Sequence, residues 1–335
     1  MGGPAPFGID EEEALEKFES LWSAFEDARV SATRYSGSLG WKSNGGRTYL
    51  VHTTNLRYEG NRQRTRSLGP RSEETERAKF EFDQGRERSG RELERVRSRL
   101  DTHGRVLKAL RLGRVSALTA RFLRELHDEG FGFRHLRIGG GAALAAYEAR
   151  SRRRMPLADD ASSLDLVPTD LFVGERHLFD AIASRKIFGP VEIDDERMVL
   201  GRGVVLRLLS VDVRDDWIRS IRRAHAGRDE IAALEWAFEV PEGIPMLAVG
   251  LDGSPAPIAA LDPRAHAILS TMEARYLADR STAGRLGTWA AAAAAVAGIV
   301  SPDPFEDAHL SLFPEIADAV GGWDPHADER VVMRP

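Results

Sequence analysis

The sequence predicts an α+β protein, on three observations. Short apolar or alternating runs bounded by glycine and proline read as strands, as at 40–53, 136–138, 191–200 and 244–251. Longer stretches with apolar residues three and four apart read as helices, notably 10–30, 72–112 and 266–297. In the middle of the chain the strand Leu136–Ile138 runs into three glycines, an alanine-rich helix from Ala142 to about Arg150, a polar connection and a second apolar strand carrying Asp165. The predicted architecture is a mixed sheet with flanking helices. Its parts are an N-terminal helix (1–35), a small β module (36–70), a helical spacer (71–130), an α/β core (131–255) and a C-terminal helical region (256–335).

Taken in order, residues 10–30 place Leu15, Phe18, Trp22 and Phe25 on one helical stripe, with acids crowded at the start where the helix dipole favours them. Ser43-Asn44-Gly45-Gly46 predicts a hairpin turn between Gly40–Lys42 and Arg47–Thr53, because Asn-Gly accepts positive φ; Arg62–Leu68 is a third strand. Gly69-Pro70 breaks that strand, and Ser72 with Glu73 and Glu74 caps a long charged helix to about Leu112, with hesitations at Gly85, Gly90 and Gly104. Ser116–Glu129 is a further helix ended by Gly130. Beyond the central stretch, Glu175–Lys186 reads as a helix, and Val204–Val213 as an apolar strand that ends on Asp212. Trp236–Val240 and Ile244–Leu251 read as a strand pair, with Pro255 and Pro257 marking a loop. The tail gives two helices, His266 to about Ala278 and Thr282 to about Ala297.

Composition narrows the function classes. With no cysteine there is no disulfide and no thiolate metal site, so any metal rests on oxygen or histidine. Residues 1–35 lack a secretory signal, and the longest apolar run, Trp289–Val300, falls short of the ~20 residues of a membrane helix. No membrane partner and a cytoplasmic location are expected. The net charge is −5, yet residues 41–114 hold 19 Lys/Arg against 10 Asp/Glu. That basic stretch, with Trp41, Tyr49 and Tyr58 among its arginines, is a candidate weak nucleic-acid contact, set against the plainer reading of a solvated small sheet.

Strand, glycine turn and helix start together make a phosphate seat at Gly140 and Gly141. Glycine lets the backbone approach an anion, and free N–H groups at a helix N-terminus favour negative charge. A dinucleotide fingerprint fails here, since Leu144 stands at the third glycine position. There is no HExxH zinc pattern and no Gly-x-Ser-x-Gly elbow.

The run Gly140 to Glu148, then Ser163-Leu164-Asp165-Leu166-Val167, then Ser210-Val211-Asp212-Val213, resembles a bacterial family of the nucleotidyltransferase superfamily. Arg66–Thr75, the segments at Trp41 and Tyr49, and Asp262-Pro263-Arg264-Ala265 extend the likeness over roughly residues 36–300. The resemblance implies the DNA polymerase β-like fold and transfer of a nucleoside monophosphate from an NTP to an acceptor: protein, RNA or a small molecule. It implies Mg²⁺ (or Mn²⁺) held by Asp165 and Asp212, with Gly140, Gly141, Ser163 and Arg285 on the nucleotide. It assigns Asp212 as the base beside the acceptor hydroxyl. The family pattern is Asp-x-Asp, and this chain has Ser163 at the first position, with Asp159 and Asp160 upstream as substitutes. No lysine follows Lys186, Ser270 or Thr271 stands where a lysine is expected, and Thr288 replaces an aspartate. Two readings follow: a nucleotidyltransferase with a degenerate metal site, or a catalytically impaired protein of that fold that binds nucleotide or nucleic acid.

Overall fold

The structure, a computed structural model, describes residues 5–56, 62–128, 136–155, 157, 163–168, 191–194, 197–200, 204–209, 211–239 and 243–321. It is mixed α and β, and it divides into two compact units, Met1–Leu15 with Gly104–Pro335, and Glu16–His103. In chain order the elements begin with β1 (Ala5–Pro6), α1 (Ile9–Thr33), β2 (Ser38–Asn44), β3 (Arg47–Leu56), β4 (Arg62–Pro70), α2 (Glu73–Ala109) and α3 (Ala117–Asp128). The central elements are β5 (Leu136–Gly139), α4 (Gly140–Ser151), β6 (Arg153–Arg154), β7 (Leu164–Pro168), β8 (Val191–Asp194), β9 (Arg197–Leu200) and β10 (Val204–Leu208). Then come α5 (Val211–Arg223), α6 (Arg228–Glu239), β11 (Ile244–Val249), β12 (Pro255–Ala260), α7 (Pro263–Tyr276), α8 (Arg280–Val300), α9 (Asp307–Leu312) and α10 (Pro314–Gly321).

The smaller unit holds an antiparallel sheet in the order β2-β3-β4. Its first hairpin closes as the sequence predicts: Asn44 faces Arg47 across a two-residue loop in which Gly45 and Gly46 both have positive φ. The adjoining helix α2 runs without a break through Gly85, Gly90 and Gly104, against the expected hesitations. Gly85 is there for space, because a Cβ would lie 2.2 Å from the Tyr35 ring. Its exposed ion pairs, such as Arg95–Glu92 at 2.7 Å, contribute little.

The larger unit is built on a seven-stranded sheet, order β11-β12-β5-β7-β10-β9-β8. Strand β5 runs antiparallel to β7, β7 parallel to β10, and β12 parallel to β5. Helix α4 packs on β11, the glycine-turn strands and α8. Alanine-rich surfaces permit that close approach: Ala142, Ala143 and Ala146 on α4, and Ala293 and Ala294 on α8, are all at most 2% exposed.

Several expected elements are corrected. The apolar strand ends at Leu208, and Val211–Arg223 is a helix that buries Val213, Trp217, Ile218 and Ile221 at helical spacing, so Asp212 is no strand end. Trp236 lies in α6, where Ile231, Leu234 and Phe238 form the buried stripe, and not in a strand. Pro255 and Pro257 sit inside β12 rather than in a loop. They share one parity, and on its second side β12 has only the Ala260–Ile138 pair, so the missing N–H groups cost no ladder. Helix α8, at 21 residues, is long and apolar enough by composition to cross a membrane, longer than the run read from sequence; half of its apolar window is buried in the protein. The helix expected at Glu175–Lys186, and Asp159 and Asp160, lie outside the described residues.

Candidate functional site

The site grows from the glycine turn. Strand β5 ends at Gly139, which is registered opposite Asp165 on β7. Gly140 has φ +73°, and a Cβ there would meet the Ser163 carbonyl oxygen at 2.8 Å, so only glycine fits. Helix α4 begins at Gly140, two residues before the expected start. The Gly141 N–H donates to Ser163 Oγ at 2.8 Å, and the Ala142 N–H donates to the Ser163 carbonyl at 3.1 Å. Ser163 therefore caps the helix from the neighbouring strand. It takes two of the donors a phosphate would use.

Asp165 is engaged as well. The parallel register of β7 and β10 sets Arg207 directly beside it. Arg207 Nε donates to Asp165 Oδ1 and Nη2 to Oδ2, both at 2.9 Å, a two-point fork, while Nη1 donates to Glu273 Oε1 of α7. The Trp217 ring lies 5.7 Å from the same guanidinium. The arginine side chain is 27% exposed and each carboxylate 13%. Burial works against the charge on Arg207, but the two carboxylates more than reverse that and hold it protonated.

Beside this fork lies His266, about two turns before Glu273 on α7 and 3% exposed. Neither ring nitrogen has a hydrogen-bond partner among the described residues, and the ring meets Tyr147 edge-on at 5.8 Å. Burial, aided by the Arg207 charge and opposed by Asp165, pushes the imidazole down to about 4, so it is neutral near pH 7. Tyr147 in turn donates its hydroxyl to the Leu261 carbonyl, tying α4 to the chain entering α7. Asp262 caps α7 by accepting from the Arg264 N–H at 2.8 Å, and its carboxylate also receives the Arg264 guanidinium and the Ser301 hydroxyl.

Of the residues predicted from sequence, the structure brings Gly140, Gly141, Ser163 and Asp165 together. Asp212 sits exposed in the first turn of α5, four residues past the end of β10. Arg285 is exposed on α8 with its guanidinium 5.3 Å from the Trp289 ring, and Thr288 donates back to Gly284. Ser270 and Thr271 are buried in α7, Thr271 with no hydroxyl partner among the described residues.

Among the described residues, those around Asp165 do not offer a divalent cation a second free carboxylate. On β10, the position that faces Asp165 and that a sharing carboxylate needs is held by a positive guanidinium bonded to both oxygens. Among the described residues no three His, Asp or Glu side chains converge on one point. Arg207, Glu273, Trp217 and His266 were not singled out from sequence. Arg207 had one signal: a lone charge in the run Val204–Leu209, which demands a buried acid partner. A comparison with protein-family models, with curated proteins and with solved structures finds no match.

Proposed function

We propose that this chain is a nucleotidyltransferase-fold protein that has given up metal-dependent transfer and binds a nucleotide or nucleic acid without a divalent cation. The reading rests on the resemblance read from the sequence, and the glycine turn between β5 and α4, with Asp165 on the adjoining strand β7, agrees with it. The observation that carries it is the Arg207 fork on Asp165. A guanidinium supplies there the positive charge that a metal brings to an active enzyme. Unlike a metal, it has no open coordination position for a phosphate oxygen and lowers no water's pKa. Ser163 supports the same reading, since a hydroxyl caps the helix without the charge a metal-bridging carboxylate needs.

Calorimetric titration with each NTP, in Mg²⁺ and in EDTA, tests this, together with incubation of labelled NTP and cell extract. The expected result is binding that hardly changes between the two buffers, and no label transferred. Transfer by the wild type that Asp165→Ala abolishes, or binding seen only with Mg²⁺, overturns it.

A further inference from the structure

The charge of this acidic protein is segregated. Residues 28–72 carry nine Lys/Arg and one acid, Glu59, which leaves −13 on the rest of the chain. The core of that segment is the β2-β3-β4 sheet, whose two faces follow from the register. One face turns inward: Leu50 is fully buried and His52 lies edge-on to Phe82 of α2 at 5.8 Å. The other face carries Lys42 directly across from Tyr49, Arg47 two residues before Tyr49, and the hydroxyls of Thr53, Thr65 and Ser67. Lys42, Arg47, Thr65 and Ser67 are exposed, Tyr49 is half-buried, and no described residue of the sheet is acidic. Arg64 and Arg66, opposite Thr54 and His52, belong to the His52 face and stand exposed on the edge strand β4. Lys42, Arg47, Arg64 and Arg66 make no ion pair among the described residues.

We infer that the outer face of this sheet binds a single-stranded nucleic acid. An aromatic ring with two cations beside it, neither ion-paired among the described residues, offers a base something to stack on and the neighbouring phosphates something to pair with. Hydroxyls on the same face add hydrogen bonds indifferent to sequence. A three-stranded face suits exposed bases, whereas a duplex hides its base faces and admits a helix or a two-stranded ribbon to its major groove. The rest of the chain carries a net charge of −13 and so adds no general attraction for a polyanion. The inference concerns a different unit from the glycine turn, so either can fail without the other.

The test is fluorescence anisotropy of the full chain with a labelled 20-nucleotide single strand and a duplex of equal length, between about 50 and 200 mM salt. Single-strand binding that weakens with salt is expected. Lys42→Gln with Arg47→Gln should lower affinity about tenfold and reduce the salt slope by roughly 1.4, two phosphates at about 0.7 each. Tyr49→Ala should lower affinity about fivefold or more with the slope unchanged, and Tyr49→Trp should keep it. Circular dichroism confirms that each variant is folded. An unchanged affinity in Lys42→Glu with Arg47→Glu, tighter binding of the duplex, or equal competition by polyglutamate overturns the inference, the last in favour of an acidic protein partner.

Discussion

Replacing Arg207 with methionine removes one charge from a three-membered cluster and leaves Asp165 and Glu273 facing each other beneath a tryptophan, each only 13% exposed. Breaking a buried ion pair by removing one partner costs about 3–5 kcal/mol, because the other charge stays behind uncompensated. The guanidinium is 27% exposed, so water screens part of the interaction and the lower figure of about 3 kcal/mol applies. For a unit of this size that is a fall in Tm of roughly 6–12 °C, read by thermal or urea unfolding at pH 7. Adding Asp165→Asn and Glu273→Gln to the same chain removes the stranded charges and should return at least about 2 kcal/mol. If Arg207→Met unfolds within about 1 kcal/mol of the wild type, or the triple variant is no more stable than the single one, the guanidinium is not the cation that holds this site.

Two further outcomes follow from the same structure. His266 titrates near 6.5 when unfolded and about 4 in the folded protein, so between those values the folded state holds fewer protons. Its contribution is whole above about pH 6.5 and is lost as pH falls towards 4, to a total of roughly 3 kcal/mol; His266→Leu should flatten that slope with no loss of Tm at pH 7, since it removes two buried nitrogens that have no partner among the described residues. In α2, Gly90→Ala meets nothing within 4 Å and should stabilise by about 1 kcal/mol, whereas Gly85→Ala drives a methyl into the Tyr35 ring and should destabilise, both read by urea unfolding.

How much of this was legible in the sequence depended on whether the signal was local. The hairpin at Asn44-Gly45, the Ser72 helix start and the glycine turn are readable because turn and cap chemistry lies within a few residues, whereas the first tail helix begins at Pro263 behind an Asp262 cap, three residues before the expected His266. Helix α5 is also written locally, in Val213, Trp217, Ile218 and Ile221, but the apolar run from Val204 extends the expected strand past Leu208 to Val213 and takes Asp212 with it. The Arg207–Asp165 fork was not legible. It depends on a parallel register between strands some forty residues apart, and a slip of one position turns the arginine to the other face of the sheet. The part of Ser163 was half readable: its identity announces a missing carboxylate, but its bond to the Gly141 N–H needs the sheet assembled first.

The most direct test is a crystal of the wild-type protein soaked with Mn²⁺ and ATP and measured for anomalous scattering at manganese. No manganese peak beside Asp165 is expected, with the Arg207–Asp165 fork still near 2.9 Å. A peak coordinated by Asp165, with Arg207 swung away and Asp212 or another carboxylate completing the shell, contradicts it.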